Sequence, residues 1–271
     1  MNKFIFNQHT PIKKLGQNFL KNKIIISKII NLIDLNYTDH VIEIGPGFGA
    51  LTFPMCDIVD KITILEIDEK IVFFLSQCLL HDKLNIILTD AMRFDFKYFF
   101  SLKKNVIYRF VGNLPYNIST SFFLLVTKYY YNIYDMHFMF QKEVAERLLA
   151  SPDTKSYGRL SIIAQCFYRI VPLLSVNKLN FFPIPKVDSI FLRFRPNNFI
   201  DSKDLLSHYT SLGIVTRISF SHRRKLLYKN LSGLFSKKEL LSLNIDPYAR
   251  AENIPVSQYI QLAKIFLKNK L

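Results

Sequence analysis

Acidic residues are scarce in this 271-residue chain, where 21 Asp and Glu stand against 36 Lys and Arg, a formal net charge of +15. That imbalance points to a polyanionic partner, because clustered cations attract phosphates and release their counterions, although charge alone does not name the partner. Cysteine is also sparse. Cys56, Cys78 and Cys166 are odd in number, far apart and free of any C-x-x-C spacing, which excludes a disulfide framework and a zinc ribbon and predicts reduced, buried thiols. His9, His40, His81, His137, His208 and His222 are scattered, with no metal cluster and no Ser or Cys nucleophile motif beside them, so neither metal nor covalent catalysis is expected. No apolar run is long enough to span a bilayer, and MNKFIFNQHTPIKK lacks the apolar centre of a secretory signal. A cytoplasmic protein with no membrane association is the expectation. Internal repeats and low-complexity tracts are absent as well.

What is present is an alternation. Short apolar runs at HVIEIG, KITILEI, LNIILTD, YRFVGN and MHFMF read as buried parallel strands, and segments between them such as DEKIVFFLSQCLL have helical spacing. This predicts an α/β, Rossmann-like, doubly wound sheet. KEVAERLLA and RLSIIAQCFY, on either side of the polar loop SPDTKSYG, read as helices, and RIVPLLSV with VDSIFLRFRP, flanking FFPIPK, as an antiparallel pair closing one sheet edge. The Phe-rich runs KYFF and SFFL read as core. Past Pro196 the texture becomes polar and helical, with DSKDLLSHYTSLGIVTRISF, HRRKLLYKNL, SKKELLSL and VSQYIQLAKIFLKN as candidate helices. The predicted organisation is a catalytic domain over 1–199 and a small all-α domain over 200–271, which suits a chain long enough for one sizeable core plus an appendage.

Chemistry enters at VIEIGPGFGALT, residues 41–52. Gly45, Gly47 and Ala50 fit G-x-G-x-x-A between a strand and a helix, and Glu66 ends the next strand about 20 residues on, where a carboxylate accepts from two ribose hydroxyls. Taken alone, this motif suits a nicotinamide dinucleotide as well as S-adenosylmethionine. Asp90, ending the third strand, is placed to accept from an adenine amine. The fourth strand then ends in Asn113-Leu114-Pro115-Tyr116, for which hydride transfer has no evident use. Amino-group methylation does have a use for it. An exocyclic amine on a base is a poor nucleophile, since its lone pair is delocalised into the ring. If the Asn113 side-chain oxygen and the Leu114 carbonyl accept its N–H bonds, the nitrogen is drawn toward tetrahedral geometry and its lone pair aimed at a sulfonium methyl. Pro115 stiffens the turn, and Tyr116 stacks on the base.

With these residues in view, the chain resembles the ribosomal RNA adenine N6,N6-dimethyltransferase family, within it the bacterial small-subunit branch of the kasugamycin-resistance type. The matching segments are KKLGQNFLKN (13–22), VIEIGPGFGALT (41–52), LEID (65–68), VGNLPYNIST (111–120), QKEVAERLLASPDTKSYGRLSI (141–162), FFPIPKVDS (181–189) and FSHRRKLLYKNL (220–231). The resemblance implies S-adenosylmethionine as methyl donor and a lid formed by GQNFL, with Gln17, Asn18 and Leu20 at the cofactor. It further implies Gly45 and Gly47 as the floor, Glu66 and Ile67 at the ribose, Asp90 and Ala91 at the adenine, and Asn113 between cofactor and target. Phe181 would sandwich the flipped adenine against Tyr116, since a stacked, paired amine cannot be reached. The implied substrate is two adjacent adenosines in the 3′-terminal hairpin of small-subunit rRNA, each dimethylated at N6 within an immature subunit by a monomer.

Grip on RNA is expected from Arg223, Arg224, Lys225 and Lys229 at the start of a helix, and from Arg147 and Arg159 flanking the SPDTKSYG loop. Arg147 has a plainer alternative, an ion pair with Glu143 one helical turn away. Two other functions are compatible with the motifs. One is the large-subunit rRNA methyltransferase of the macrolide-resistance type; the other is a non-enzymatic assembly or transcription factor on the same fold. YGRLSI and FSHRRKLLYKNL favour the small-subunit branch over the first, and intact Glu66 and Asn113–Tyr116 argue against the second.

Overall fold

The computed structural model describes residues 10–103, 105–197 and 205–269. After a 3₁₀ turn at Lys13–Leu15 come β1 (Phe19–Leu20) and α1 (Lys23–Ile33), followed by β2 (His40–Ile44), α2 (Thr52–Cys56), β3 (Ile62–Glu66), α3 (Glu69–Ser76) and β4 (Leu84–Leu88). The chain continues through α4 (Phe96–Ser101), β5 (Tyr108–Gly112), α5 (Tyr116–Val126), β6 (Ile133–Gln141), α6 (Lys142–Leu149) and α7 (Arg159–Phe167). Then follow β7 (Tyr168–Val176), β8 (Phe181–Phe182) and β9 (Ser189–Pro196), and finally α8 (Leu205–Ser219), α9 (Leu227–Leu231), α10 (Lys237–Ser242) and α11 (Val256–Lys268).

Seven strands form one sheet in the order β4-β3-β2-β5-β6-β9-β7. The pairs β2–β3, β2–β5, β3–β4 and β5–β6 are parallel, and β9 runs antiparallel to β6. β7 lies beyond β9 at that edge, so the two strands expected to close it are hydrogen-bonded neighbours. The alternation of runs and helical segments explains the parallel part: each crossover helix covers a face, and strands buried on both faces become uniformly apolar. Of the Phe-rich runs, SFFL buries Phe122 and Phe123 fully, whereas KYFF buries Phe100, leaves Phe99 half-buried and turns Tyr98 out to solvent at 63% exposure.

One buried strand carries a charge. Arg109 on β5 is only 3% exposed, and it holds Asp135 through two bonds of 2.9 and 2.8 Å and Asp39 at 2.7 Å, while donating to the carbonyls of Asp34 and Ile33. A guanidinium taken out of water at this depth is tolerated only with its donors filled, and loss of one partner would leave an uncompensated charge.

The chain divides into two compact units. The first takes the described residues up to Lys142 together with Val171–Arg195, and the second takes Glu143–Ile170 together with the described residues from Pro196 on. The division read from sequence, 1–199 and 200–271, has its boundary outside the described residues, and so do the first residues of the helix expected at 201. Helices α6 and α7, which sequence order assigns to the catalytic domain, fall in the second unit. There α7 supplies Ser161, whose hydroxyl donates to the Arg147 carbonyl at 2.6 Å, and Asn197 donates to the Gln165 carbonyl at 3.0 Å. The expected helix HRRKLLYKNL is shorter than its sequence suggests. Residues 221–226 form turns, and α9 starts only at Leu227.

Candidate active site

In the first unit β2 lies between β3 and β5, the point where strand order reverses, and the loops leaving the carboxyl ends of these strands diverge there and open a crevice. A cavity of about 230 Å³ occupies it. Its lining includes Gln17, Asn18 and Leu20 from the segment before α1, Gly45 and Gly47 after β2, and Glu66 and Ile67 at the carboxyl end of β3. Asp90 and Ala91 after β4 and Asn113, Leu114, Pro115 and Tyr116 after β5 complete it. The residues expected at the cofactor are therefore gathered at one place.

Each is held by identifiable bonds. Gly47 sits at φ +54°, and a Cβ there would meet the Phe19 ring at 2.8 Å, so only glycine lets the loop pass beneath that ring. Glu66 is 6% exposed, and its Oε1 accepts from the Ile67 N–H at 2.8 Å and the Asp68 N–H at 2.9 Å. Burial pushes its carboxyl up to about 7, against the pull of those N–H groups and that of Gly47. A carboxylate so fixed keeps acceptor capacity for ligand hydroxyls. Behind it, Glu43 on β2 is fully buried, accepts from the Thr52 hydroxyl at 2.7 Å and is pushed up to about 8, chiefly by burial. Asp90 accepts from the Met92 N–H at 2.9 Å and faces Arg93 at 3.7 Å.

The segment expected to act as a lid, GQNFL at 16–20, is fastened by hydrogen bonds. Gln17 accepts from the Ile12 N–H and donates to Asp68, the N-cap of α3, at 2.8 Å each. Gly16, at φ +64°, makes the turn, and a Cβ there would lie 2.9 Å from Asn117 Oδ1. Asn113 is tied to this segment, since its Nδ2 donates to the Asn18 carbonyl at 2.7 Å. A carbonyl cannot accept from an oxygen, so that contact settles the amide's orientation: the NH₂ faces the lid, and Oδ1 remains as an acceptor with no partner among the described residues.

Tyr116 opens α5, with Pro115 at the N-cap at φ −53°, a value the ring presets. Its phenol is 2.7 Å from the Ser189 hydroxyl at the start of β9. Ser189 is fully buried. It fixes the ring's far end, and nothing in the local sequence marks it, because the two residues meet only when β9 pairs with β6.

Phe181 sits apart from the other expected residues. It is fully buried in the core cluster with Phe19 and Leu20 and lies outside the cavity lining, so in this conformation it offers no face to a base. The physical reason is strand alternation. The lid strand β1 pairs with β8, Leu20 opposite Phe181 and Phe19 opposite Phe182, which turns Phe181 inward and leaves its neighbour Phe182 38% exposed. Neither short strand is visible as a hydrophobic period in the sequence.

The six cations expected at RNA all belong to the second unit. Arg147, Arg159, Arg224, Lys225 and Lys229 are exposed. Arg147 makes no ion pair with Glu143 among the described residues. Arg223 differs from the other five, because it pairs with Glu252 at 2.7 Å and donates to the Lys155 carbonyl, bracing the 151–158 loop and the 251–253 turn. All three cysteines are free thiols, with Cys56 and Cys166 buried and Cys78 only partly so. No metal-ligand cluster occurs among the described residues.

Comparison with known proteins gives consistent results. The family model described as ribosomal RNA adenine dimethylase matches residues 8–268. A ribosomal RNA small subunit methyltransferase A of Buchnera aphidicola subsp. Acyrthosiphon pisum is 45% identical over 263 residues, 97% of this chain and 95% of the relative. Among solved structures, a dimethyladenosine transferase from Plasmodium falciparum shares 26% identity with a TM-score of 0.79, covering 93% of this chain and 98% of the other. The 23S rRNA methyltransferase ErmE shares the fold at 22% identity with a TM-score of 0.65, over 91% of this chain and 98% of its own.

Proposed function

The chain belongs to the ribosomal RNA adenine dimethylase family, and from that premise we propose that it dimethylates N6 of two adjacent adenosines in the 3′-terminal hairpin of small-subunit rRNA, acting as a monomer on an immature subunit. It is an rRNA adenine dimethyltransferase, and S-adenosylmethionine is its methyl donor. The small-subunit assignment is supported by relatives at 41–45% identity that carry that name, whereas likeness to the large-subunit enzyme is a likeness of fold.

The cavity's residues fit this donor. Glu66 offers a fixed carboxylate for ribose hydroxyls, Asp90 an acceptor for the adenine amine, and the glycine loop a floor without side chains. The bound donor supplies an electrophilic methyl on a sulfonium. The remaining work belongs to the chain's own groups. Asn113 Oδ1 and the Leu114 carbonyl accept the target amine's N–H bonds and orient its lone pair, and Tyr116, held by Ser189, stacks on the base. For the second face of the base the proposed ring is Phe181, which the described conformation holds in the core cluster with Phe19. No strong general base is needed, because the proton leaves an acidic ammonium after transfer. The observation that carries this reading is the Asn113 amide, whose donor side is anchored to the lid and whose acceptor side is left for a ligand.

Reverse-transcription mapping of dimethyladenosine in both rRNAs, with and without the gene, tests the assignment. Loss of the stops in small-subunit rRNA alone is the expected result. Unchanged small-subunit rRNA would overturn it.

A further inference from the structure

We propose that the second unit carries a nucleotide-binding site at Tyr228, Lys237 and Tyr248, which holds one unpaired nucleotide of the RNA substrate with its base on Tyr248 and its phosphate at Lys237. The inference rests on the reading of rRNA as substrate, and none of the three residues lines the methyl-transfer cavity.

The site is assembled by backbone bonds. The Leu227 N–H donates to the Ala249 carbonyl at 2.8 Å and the Tyr228 N–H to the Pro247 carbonyl at 3.1 Å, which fastens the 247–250 segment against the start of α9. The Tyr228 and Tyr248 rings consequently lie 5.6 Å apart at 67°. Lys237, first residue of α10, is aimed at them by the capping box of Ser236 and Glu239. Its ammonium stands 4.2 Å from the Tyr228 ring centroid and 5.0 Å from that of Tyr248, and it donates to the Tyr248 hydroxyl at 3.3 Å.

A surface lysine ordinarily samples many rotamers. Here two ring faces and a hydroxyl confine the charge. The nearby carboxylates are engaged elsewhere, Glu239 accepting from the Ser236 N–H at 2.7 Å and Asp246 from the Tyr248 N–H at 2.8 Å. Lys237 has no ion pair among the described residues. Tyr248 is 58% exposed, in a chain whose aromatics are mostly interior, and Lys229, Lys238 and Arg250 on the same three segments are exposed too. A fixed cation beside an open ring matches a nucleotide, whose base has an apolar face for any ring and whose phosphate needs a positive charge. Duplex RNA would engage the cations but has no unstacked base to offer Tyr248.

The test uses the full chain and a fluorescein-labelled single-stranded oligoribonucleotide, with binding followed by anisotropy across a salt titration. Tyr248→Ala is expected to weaken binding about 5- to 100-fold with an unchanged salt slope, because stacking releases no counterions, and Tyr248→Phe to bind as the wild type does. Lys237→Ala is expected to reduce the salt slope by about one. In methyl transfer, Tyr248→Ala raises the KM for RNA and leaves kcat unchanged. Wild-type affinity in Tyr248→Ala, an equal loss in Tyr248→Phe, or a duplex of the same sequence bound as tightly as the single strand would each overturn the site. If the wild type methylates small-subunit rRNA while Tyr248→Ala binds normally, this inference alone fails. A wild type that does not methylate that RNA removes the underlying reading instead.

Discussion

Replacing Asn113 with alanine removes two interactions that act on different steps. The first is the acceptor Oδ1, which meets the target amine as the nitrogen becomes tetrahedral. Deleting one preorganised hydrogen-bond partner of a transition state typically costs about 2.7–4 kcal/mol, a factor of roughly 10² to 10³ in turnover. The second is the 2.7 Å bond from Nδ2 to the Asn18 carbonyl, which ties the β5 loop to the lid. A bond of that type contributes about 0.5–1.5 kcal/mol, so cofactor affinity should fall only about two- to tenfold. RNA affinity should hardly change, because the residue acts mainly in the transition state. Single-turnover transfer of labelled methyl at saturating RNA reads the first effect, calorimetric titration of the cofactor the second, and fluorescence anisotropy the third. Asn113→Asp separates the two functions further. It keeps an oxygen toward the amine but sets a carboxylate oxygen against the Asn18 carbonyl, so turnover should exceed that of the alanine variant while cofactor affinity drops at least as far. A fall in turnover smaller than about tenfold, or a proportional loss of RNA affinity, would refute the assigned role.

Five other outcomes follow from the geometry. Glu66, pushed up to about 7, must be ionised to accept from ribose hydroxyls, so the cofactor Kd should be flat above about pH 8 and rise toward tenfold per pH unit below about pH 6; a flat profile throughout contradicts this. For folding without ligand the sign is opposite. Glu43 and Glu66 have values raised from 4.5 to about 8 and about 7, so the neutral forms are favoured, and their stabilisation is full below about pH 4.5 and is lost as pH rises through 7 and 8; denaturant titration across that range of a Glu43→Gln variant, which should lose much of the alkaline decline, checks it. Phe181→Ala should destabilise the fold by about 3–5 kcal/mol and Phe182→Ala by less, read by denaturant titration; an unchanged stability in Phe181→Ala would contradict its place in the core. Ser189→Ala frees the Tyr116 phenol, and its effect should vanish in a Tyr116→Phe background, a coupling that a double-mutant cycle reads directly. Finally, Arg224→Ala and Lys229→Ala should each reduce the salt slope of RNA binding by about one, whereas Arg223→Ala, whose guanidinium is engaged by Glu252 and Lys155, should lower Tm and keep the slope.

Much of the site was legible because a parallel sheet converts sequence order into position. Gly45, Glu66, Asp90 and Asn113 each lie at or just past a strand's carboxyl end, and the strand ends meet where the order reverses. What escaped the sequence depends on pairings between distant segments. Phe181 and Phe182 are equivalent as letters, and only the two-residue pairing of β1 with β8 decides which ring faces inward. Ser189 meets Tyr116 across a 73-residue separation. Arg223 sits in a run of cations that reads uniformly as phosphate-binding, yet Glu252 lies against it in the folded unit. Arg109 interrupts an apolar strand without any local sign that Asp39 and Asp135 will receive it. The reach of the second unit back to Glu143 is hidden for the same reason, since α6 and α7 follow β6 in sequence but fall among the C-terminal helices.

The central claim is that Asn113, Leu114 and Tyr116 present an adenine amine of small-subunit rRNA to S-adenosylmethionine. Its most direct test incubates the full chain with labelled S-adenosylmethionine and immature small subunits, then locates and counts the transferred methyl groups. Two methyl groups on N6 of each of two adjacent adenosines in the 3′-terminal hairpin, transferred about 10²- to 10³-fold more slowly by Asn113→Ala, is the result predicted. Label elsewhere in the RNA, or none from a folded protein that binds the cofactor, would contradict it.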